Sequence, residues 1–103
     1  MVSEYLFEIS KKIREKFGAN VERIIVFGSY ARGEQRADSD LDFLVVVKDE
    51  NIEDELRKIV YSFIPEIGRL ISVKIVKAEE YAEMKKIDLS FIKSVEREGI
   101  VIG

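Results

Sequence analysis

The sequence contains no cysteine, no histidine and no tryptophan, and its only proline is Pro65. Without histidine the chain cannot form a Ser-His-Asp triad, a histidine general base or a zinc–imidazole site. Any bound metal ion must therefore be held by oxygen ligands, which favours Mg²⁺, Mn²⁺ or Ca²⁺. Without cysteine there is no disulfide framework, so thiols say nothing about the compartment.

Long apolar runs and an excess of basic charge are also missing. No apolar run approaches the roughly 18 residues of a membrane span, and residues 1–4 lack the basic region that opens a signal peptide. The net charge of −3 gives no bulk attraction to nucleic acid. Most of the phenylalanines lie on apolar stripes that we expect to be buried in the core, rather than beside basic clusters: Phe7, Phe17, Phe63 and Phe91. We therefore expect a cytoplasmic protein that neither enters a membrane nor binds nucleic acid directly.

The chain is rich in apolar and charged residues. Hydrophobic residues make up 47% of its 103 residues and are spread over the whole length, which predicts one globular domain over residues 1–103. Charged residues make up 36%, with one glutamine and two asparagines. This profile is typical of heat-adapted proteins.

Helical and extended patterns alternate along the sequence. Ser3 is a candidate N-cap, and an apolar stripe at helical spacing follows it, ended by Gly18: Leu6, Phe7, Ile9, Ile13 and Phe17. Further helices are predicted over residues 30–32, 53–63 (ending before Pro65), 79–86 and 89–98. Strands are predicted over 21–27, 41–47, 71–76 and 100–102. This alternation predicts an α/β (α+β) layered fold.

The most informative segment joins the first two predicted strands. Phe27-Gly28-Ser29 is followed, after ten residues, by Asp40-Leu41-Asp42-Phe43. Because strand side chains alternate between faces, the two aspartates share one face, with Cα atoms roughly 7 Å apart. Like charges this close repel each other unless a cation lies between them. The Gly-Ser turn offers backbone N–H groups to an anion, and a metal beside phosphate is the arrangement of phosphoryl transfer.

Three other interpretations of this segment explain it less well. A P-loop requires lysine and Ser/Thr where Glu34 and Gln35 stand. An EF-hand loop requires glycine where Phe43 stands. A purely structural turn would explain Gly28, but not the acid Asp42 inside a strand that is otherwise buried in character, where an unpaired charge is costly.

The segment from Phe27 to Phe43 resembles the signature of the DNA polymerase β-like nucleotidyltransferase superfamily, and the small size of the chain resembles its minimal nucleotidyltransferase branch. The resemblance implies a mixed β-sheet flanked by helices. It implies that Asp40 and Asp42 are catalytic and hold Mg²⁺ or Mn²⁺. It also implies a nucleoside triphosphate bound by the turn and by nearby cations: Gly28, Ser29, Arg32, Arg36 and Lys74.

The chain departs from the family pattern on its third predicted strand. Active members place a third carboxylate there, but this strand has Ser72 and Lys74 on the relevant face and no acid. Lys74 could bind the triphosphate or pair with an aspartate in place of a metal. Alternatively, Glu34, Glu66 or a partner protein could supply the missing group.

Two functions follow from the resemblance. The first is transfer of a nucleoside monophosphate, AMP from ATP, to an acceptor hydroxyl, on a partner such as the small helical HEPN-type toxins that accompany minimal nucleotidyltransferases. The second is an inert, antitoxin-like subunit with the same fold that masks its partner without chemistry.

Overall fold

A computed structural model describes residues 2–33, 40–87 and 89–103. In chain order, its helices and strands are α1 (Val2–Phe17), β1 (Val21–Phe27), β2 (Leu41–Val47), α2 (Glu53–Tyr61), α3 (Ile64–Ile67), β3 (Ile71–Lys77), α4 (Ala78–Lys86), α5 (Ser90–Glu98) and β4 (Ile100–Val101). Short 3₁₀ turns at Gly18–Asn20 and Glu50–Ile52 precede β1 and α2.

The strands form one mixed sheet in the order β3-β2-β1-β4. β1 is antiparallel to β2 and to β4, whereas β2 and β3 are parallel. The predicted mixed sheet flanked by helices is therefore confirmed. β2 lies between two strands and is almost wholly buried, as its nearly continuous apolar sequence predicts.

Helices cover both faces of the sheet. The face under α1, α2 and α3 holds the larger core, in which Leu41, Phe43 and Val45 of β2 are fully buried. The opposite face, which we call the α5 face, carries a smaller core of Leu44 and Val46 under α4 and α5. Because strand side chains alternate, Asp42 also projects from the α5 face. The described part of the chain has no helix that is both long and apolar enough to cross a membrane.

Several local predictions were wrong. Phe7 is 69% exposed, because the stripe that α1 buries consists of Leu6, Ile9 and Ile13. Ser3 lies inside α1 rather than at its N-cap. Residues 30–32 form a turn, because two positive-φ residues, Gly28 and Gly33, limit the segment at each end.

The helix predicted over residues 53–63 ends two residues early, and a short helix that was not predicted follows it. α2 ends at Tyr61, and Pro65 lies in the first turn of the short α3, where proline loses no helical hydrogen bond. The reversal at Gly68 (φ 75°) then returns the chain to β3.

We expect Leu56→Ala, which truncates a fully buried side chain of α2, to lower the free energy of unfolding by ~2–5 kcal/mol. The matched control is Phe7→Ala, which should change it by less than ~0.5 kcal/mol because Phe7 is exposed. Urea denaturation followed by circular dichroism measures both. A comparable loss in the two variants would contradict the placement of Phe7.

Candidate active site

The site begins where the end of β1 lies beside the start of β2. Phe27 pairs in register with Asp42, so the turn that follows Phe27 passes directly over the Asp42 side chain. Gly28 has φ 80°, and a Cβ on this residue would overlap Asp42 Oδ2 and lie 3.3 Å from Asp42 Cγ. Glycine is therefore required at this position for two reasons: its backbone conformation and the space that it leaves for the Asp42 carboxylate.

Asp40 is close enough to Asp42 for its charge to act on that carboxyl. Asp42 is partly buried on the α5 face, while Asp40 is exposed just before β2. Burial, and next the negative charge of Asp40, raise the pKa of Asp42 above its usual value of 3.8. The positive charges of Lys74 and Arg32 act in the opposite direction but do not cancel this rise. The nearby positive charges therefore do not fully offset what burial and Asp40 do to Asp42.

Lys74 lies on the neighbouring strand. Asp42 pairs in register with Ser72, and Leu44 pairs with Lys74, so a hydroxyl and an ammonium occupy the face where a third carboxylate was sought. The Lys74 Nζ lies 5.5 Å from the centroid of the Phe91 ring, a cation–π contact. Within the described residues it forms no ion pair with either aspartate. The ammonium therefore does not occupy the position between them.

Arg32 connects the turn to the end of α5. Its guanidinium pairs with Glu98 at 3.5 Å, at the last residue of that helix. The backbone of Arg32 closes the turn by donating to the Gly28 carbonyl at 3.1 Å. Arg32 thus belongs to the turn that passes over Asp42, and its positive charge reaches that carboxylate.

The residues present fit one divalent cation. Asp40 and Asp42 supply hard oxygen ligands at the start of β2, and a cation would offset the unfavourable effect of the Asp40 charge on ionised Asp42. No group of three acidic, histidine or cysteine residues that could hold a metal is found within residues 2–33, 40–87 and 89–103. The described part of the site therefore offers two carboxylates rather than three.

The remaining candidates fall outside this arrangement. Arg36 and Glu34 lie outside the described residues. Glu66 belongs to α3, whose neighbouring isoleucines pack on the other face of the sheet, so Glu66 is not brought to the aspartates. The residue that sequence reasoning missed is Phe91, which was assigned to the core but is 39% exposed beside Lys74. No signal in its spacing distinguishes it from a core residue.

Comparison with known proteins identifies the family. Residues 6–102 match the family described as the nucleotidyltransferase domain. The chain belongs to this family. One similar protein of Methanocaldococcus jannaschii is 35% identical over 97 residues, covering 92% of this chain and 91% of its own. Another from the same organism is 36% identical over 107 aligned positions, covering 99% and 95% of the two chains. Both carry the name "Putative protein adenylyltransferase".

A solved structure has the same fold as this nucleotidyltransferase chain. It is described as the crystal structure of a toxin-antitoxin with AMP-PNP, and it aligns with a TM-score of 0.57 and 22% sequence identity. The alignment covers 94% of this chain and 72% of the other. At this identity the likeness supports the mixed sheet and its flanking helices and nothing finer.

The requirement for glycine at position 28 can be separated into its two causes. Gly28→Ala should lower the free energy of unfolding by ~1 kcal/mol or more beyond the loss in Gly33→Ala. Both positions have positive φ, but only a Cβ at position 28 meets Asp42, whereas none of the described residues lies near a Cβ at Gly33. Chemical denaturation of the two variants provides the comparison. Equal losses would show that backbone conformation alone requires Gly28.

The raised pKa of Asp42 has a consequence for stability. Because ionised Asp42 is less favourable in the folded than in the unfolded chain, its charge opposes folding at neutral pH. In the absence of divalent cations, Asp42→Asn should therefore be more stable than the parent at pH 7. The difference should shrink as the pH falls toward and below 3.8, where the carboxyl is protonated in both states. Denaturation curves between pH 3 and 7 test this, and a loss of stability at pH 7 would contradict it.

Proposed function

We propose that this protein is a metal-dependent nucleotidyltransferase that moves a nucleoside monophosphate, AMP from ATP, to an acceptor hydroxyl of a partner protein. Membership of the nucleotidyltransferase family supports the reaction class. The names of the two relatives, each matched over nearly its whole length, support AMP as the transferred group and a protein as the acceptor.

The observation that carries the proposal is the contact between the Gly28 backbone and Asp42. It places the turn that would receive a polyphosphate immediately beside the carboxylate pair that would receive a cation. Two neighbouring subsites of opposite charge preference are what a metal–triphosphate complex requires. Neither subsite alone would argue for this ligand.

Each residue has a distinct part in the proposed reaction. Asp40 and Asp42 would hold Mg²⁺ or Mn²⁺, which when bound would neutralise charge on the reacting phosphate and on the leaving group. The Gly28-Ser29 turn would donate backbone N–H groups and the Ser29 hydroxyl to the terminal phosphates. The acceptor oxygen bonds to the α-phosphorus as the bond to the β-phosphate oxygen breaks, and pyrophosphate leaves.

Two further cations would act on the phosphates. The Lys74 ammonium lies on the same face as Asp42 and is not committed to a carboxylate of the pair. The Arg32 guanidinium would have to exchange its pairing with Glu98, which costs little because that ion pair is on the surface. Arg36 stays a candidate from the sequence.

The proposed acceptor is a small helical protein of the HEPN type. A partner of this kind is what the resemblance to minimal nucleotidyltransferases implies, and a chain of the same fold occurs in a toxin-antitoxin structure. Such a partner would supply the hydroxyl, and it could also supply the proton acceptor that β3 lacks.

The second candidate is an inert antitoxin-like subunit that masks its partner without chemistry. One observation favours it: β3 carries Ser72 and Lys74 where an active enzyme would carry an acid. Another argues against it, because Lys74 contacts Phe91 rather than pairing with an aspartate. The first candidate accounts for both.

Binding of ATP measured by calorimetry, with and without Mg²⁺, is the direct test. We expect Mg²⁺-dependent binding that weakens at least ~10-fold in Asp40→Asn and in Asp42→Asn, because each change removes one of the two carboxylate ligands. The matched control is Asp54→Asn, an equal change of charge on the exposed surface of α2, which should bind as the parent does.

Transfer is tested with α-labelled ATP, Mg²⁺ and whichever small protein is encoded beside this one. Label should appear on the partner and disappear with Asp42→Asn. A protein that binds no ATP yet still silences its partner would refute the enzymatic proposal in favour of the masking subunit.

A further inference from the structure

We propose that Phe91 is a positioning residue, whose ring holds the Lys74 ammonium beside the carboxylate pair and so leaves Asp42 open to a divalent cation. The inference rests on the proposed function, because it concerns how the same site admits its metal. The inference gives a role in the site to Phe91, an uncharged residue of α5 rather than of the sheet.

The contacts of Phe91 fix the position of its ring. It packs against Phe27 in an edge-to-face arrangement, with centroids 5.4 Å apart and planes at 83°. Phe27 in turn pairs in register with Asp42. The ring is therefore anchored beside the strand position that pairs with Asp42, and Lys74 Nζ lies 5.5 Å from its centroid.

Lys74 has two attractive neighbours, and only one of them can hold it. Its positive charge already acts on Asp42, and its flexible stem of four methylenes would allow a direct ion pair. Exposed ion pairs and exposed cation–π contacts have similar strengths. A ring at the right place can therefore decide which contact the ammonium makes.

Without the Phe91 ring, the Lys74 ammonium would lose its cation–π contact and only its attraction to Asp42 would remain. The ammonium would move toward Asp42, whose ionised form needs a positive neighbour, and would then compete with the divalent cation. The ring thus acts on metal binding only through Lys74. If Phe91 positions Lys74, its effect on metal binding disappears when Lys74 is removed; if Phe91 only packs, the effect remains.

The other cation of the site is contacted from the same helix. Glu98 at the end of α5 forms an ion pair with Arg32, while Phe91 near the start of α5 holds Lys74. One helix therefore offers each of these two cations a contact away from the aspartates. This common origin supports a role for α5 in positioning the positive charges of the site.

The experiment measures Mn²⁺ affinity by electron paramagnetic resonance, without nucleotide, in the parent, Phe91→Leu, Phe91→Tyr, Lys74→Met and the Phe91→Leu/Lys74→Met double variant. We expect Phe91→Leu to weaken binding about two- to fivefold and Phe91→Tyr to retain it, because tyrosine keeps the cation–π face. Lys74→Met should bind Mn²⁺ at least as tightly as the parent. In that background Phe91→Leu should have no further effect.

Two results would overturn the inference alone. An equal loss from Phe91→Leu with and without Lys74 would show that the ring acts through packing. Unchanged affinity in Phe91→Leu would show that the ring does not position the ammonium. If instead the parent bound no Mn²⁺, or bound it equally well with Asp42→Asn, the inference would fail, and the proposed function would fail with it only if Mg²⁺-dependent ATP binding were absent as well.

Discussion

The site depends on a carboxylate that lies against a glycine backbone. Asp42 occupies the space that a side chain at position 28 would need, so strand pairing and turn geometry place an acid beside the Gly-Ser turn. Desolvation, and next the charge of Asp40, raise the pKa of this acid. The fold tolerates this unfavourable charge because the rest of β2 is buried apolar surface.

The two faces of the sheet have different roles: one carries most of the buried core, and the other carries the polar side chains of the site. The larger core, under α1 and α2, supplies most of the apolar burial and holds β2 in place. The α5 face is covered only over part of its area, and the uncovered part carries Asp42, Ser72 and Lys74. A strand that is fully covered on one face and partly covered on the other can be stable and still present polar side chains to a ligand.

Much of the arrangement could be predicted from residue spacing. Strict alternation in Ile71-Ser72-Val73-Lys74 predicts which side chains face the core, and the structure agrees. The paired aspartates at i and i+2 predict a shared face in the same way. Helix boundaries were less predictable, as Pro65 shows, because proline is compatible with both the end of one helix and the first turn of the next. Phe7 and Phe91 were assigned to the core because an aromatic residue on an apolar stripe has the same pattern whether it is covered or not.

The sequence by itself determined the alternation of strands and helices, the position of the Gly-Ser turn and the lack of an acid on β3. These are properties of short segments, which follow from backbone periods and local sterics. Only the tertiary structure decided that Gly28 lies on Asp42, that Lys74 contacts Phe91 and that Glu98 pairs with Arg32. Each of these contacts joins residues far apart in the chain, and strand register and helix packing, rather than local spacing, bring them together.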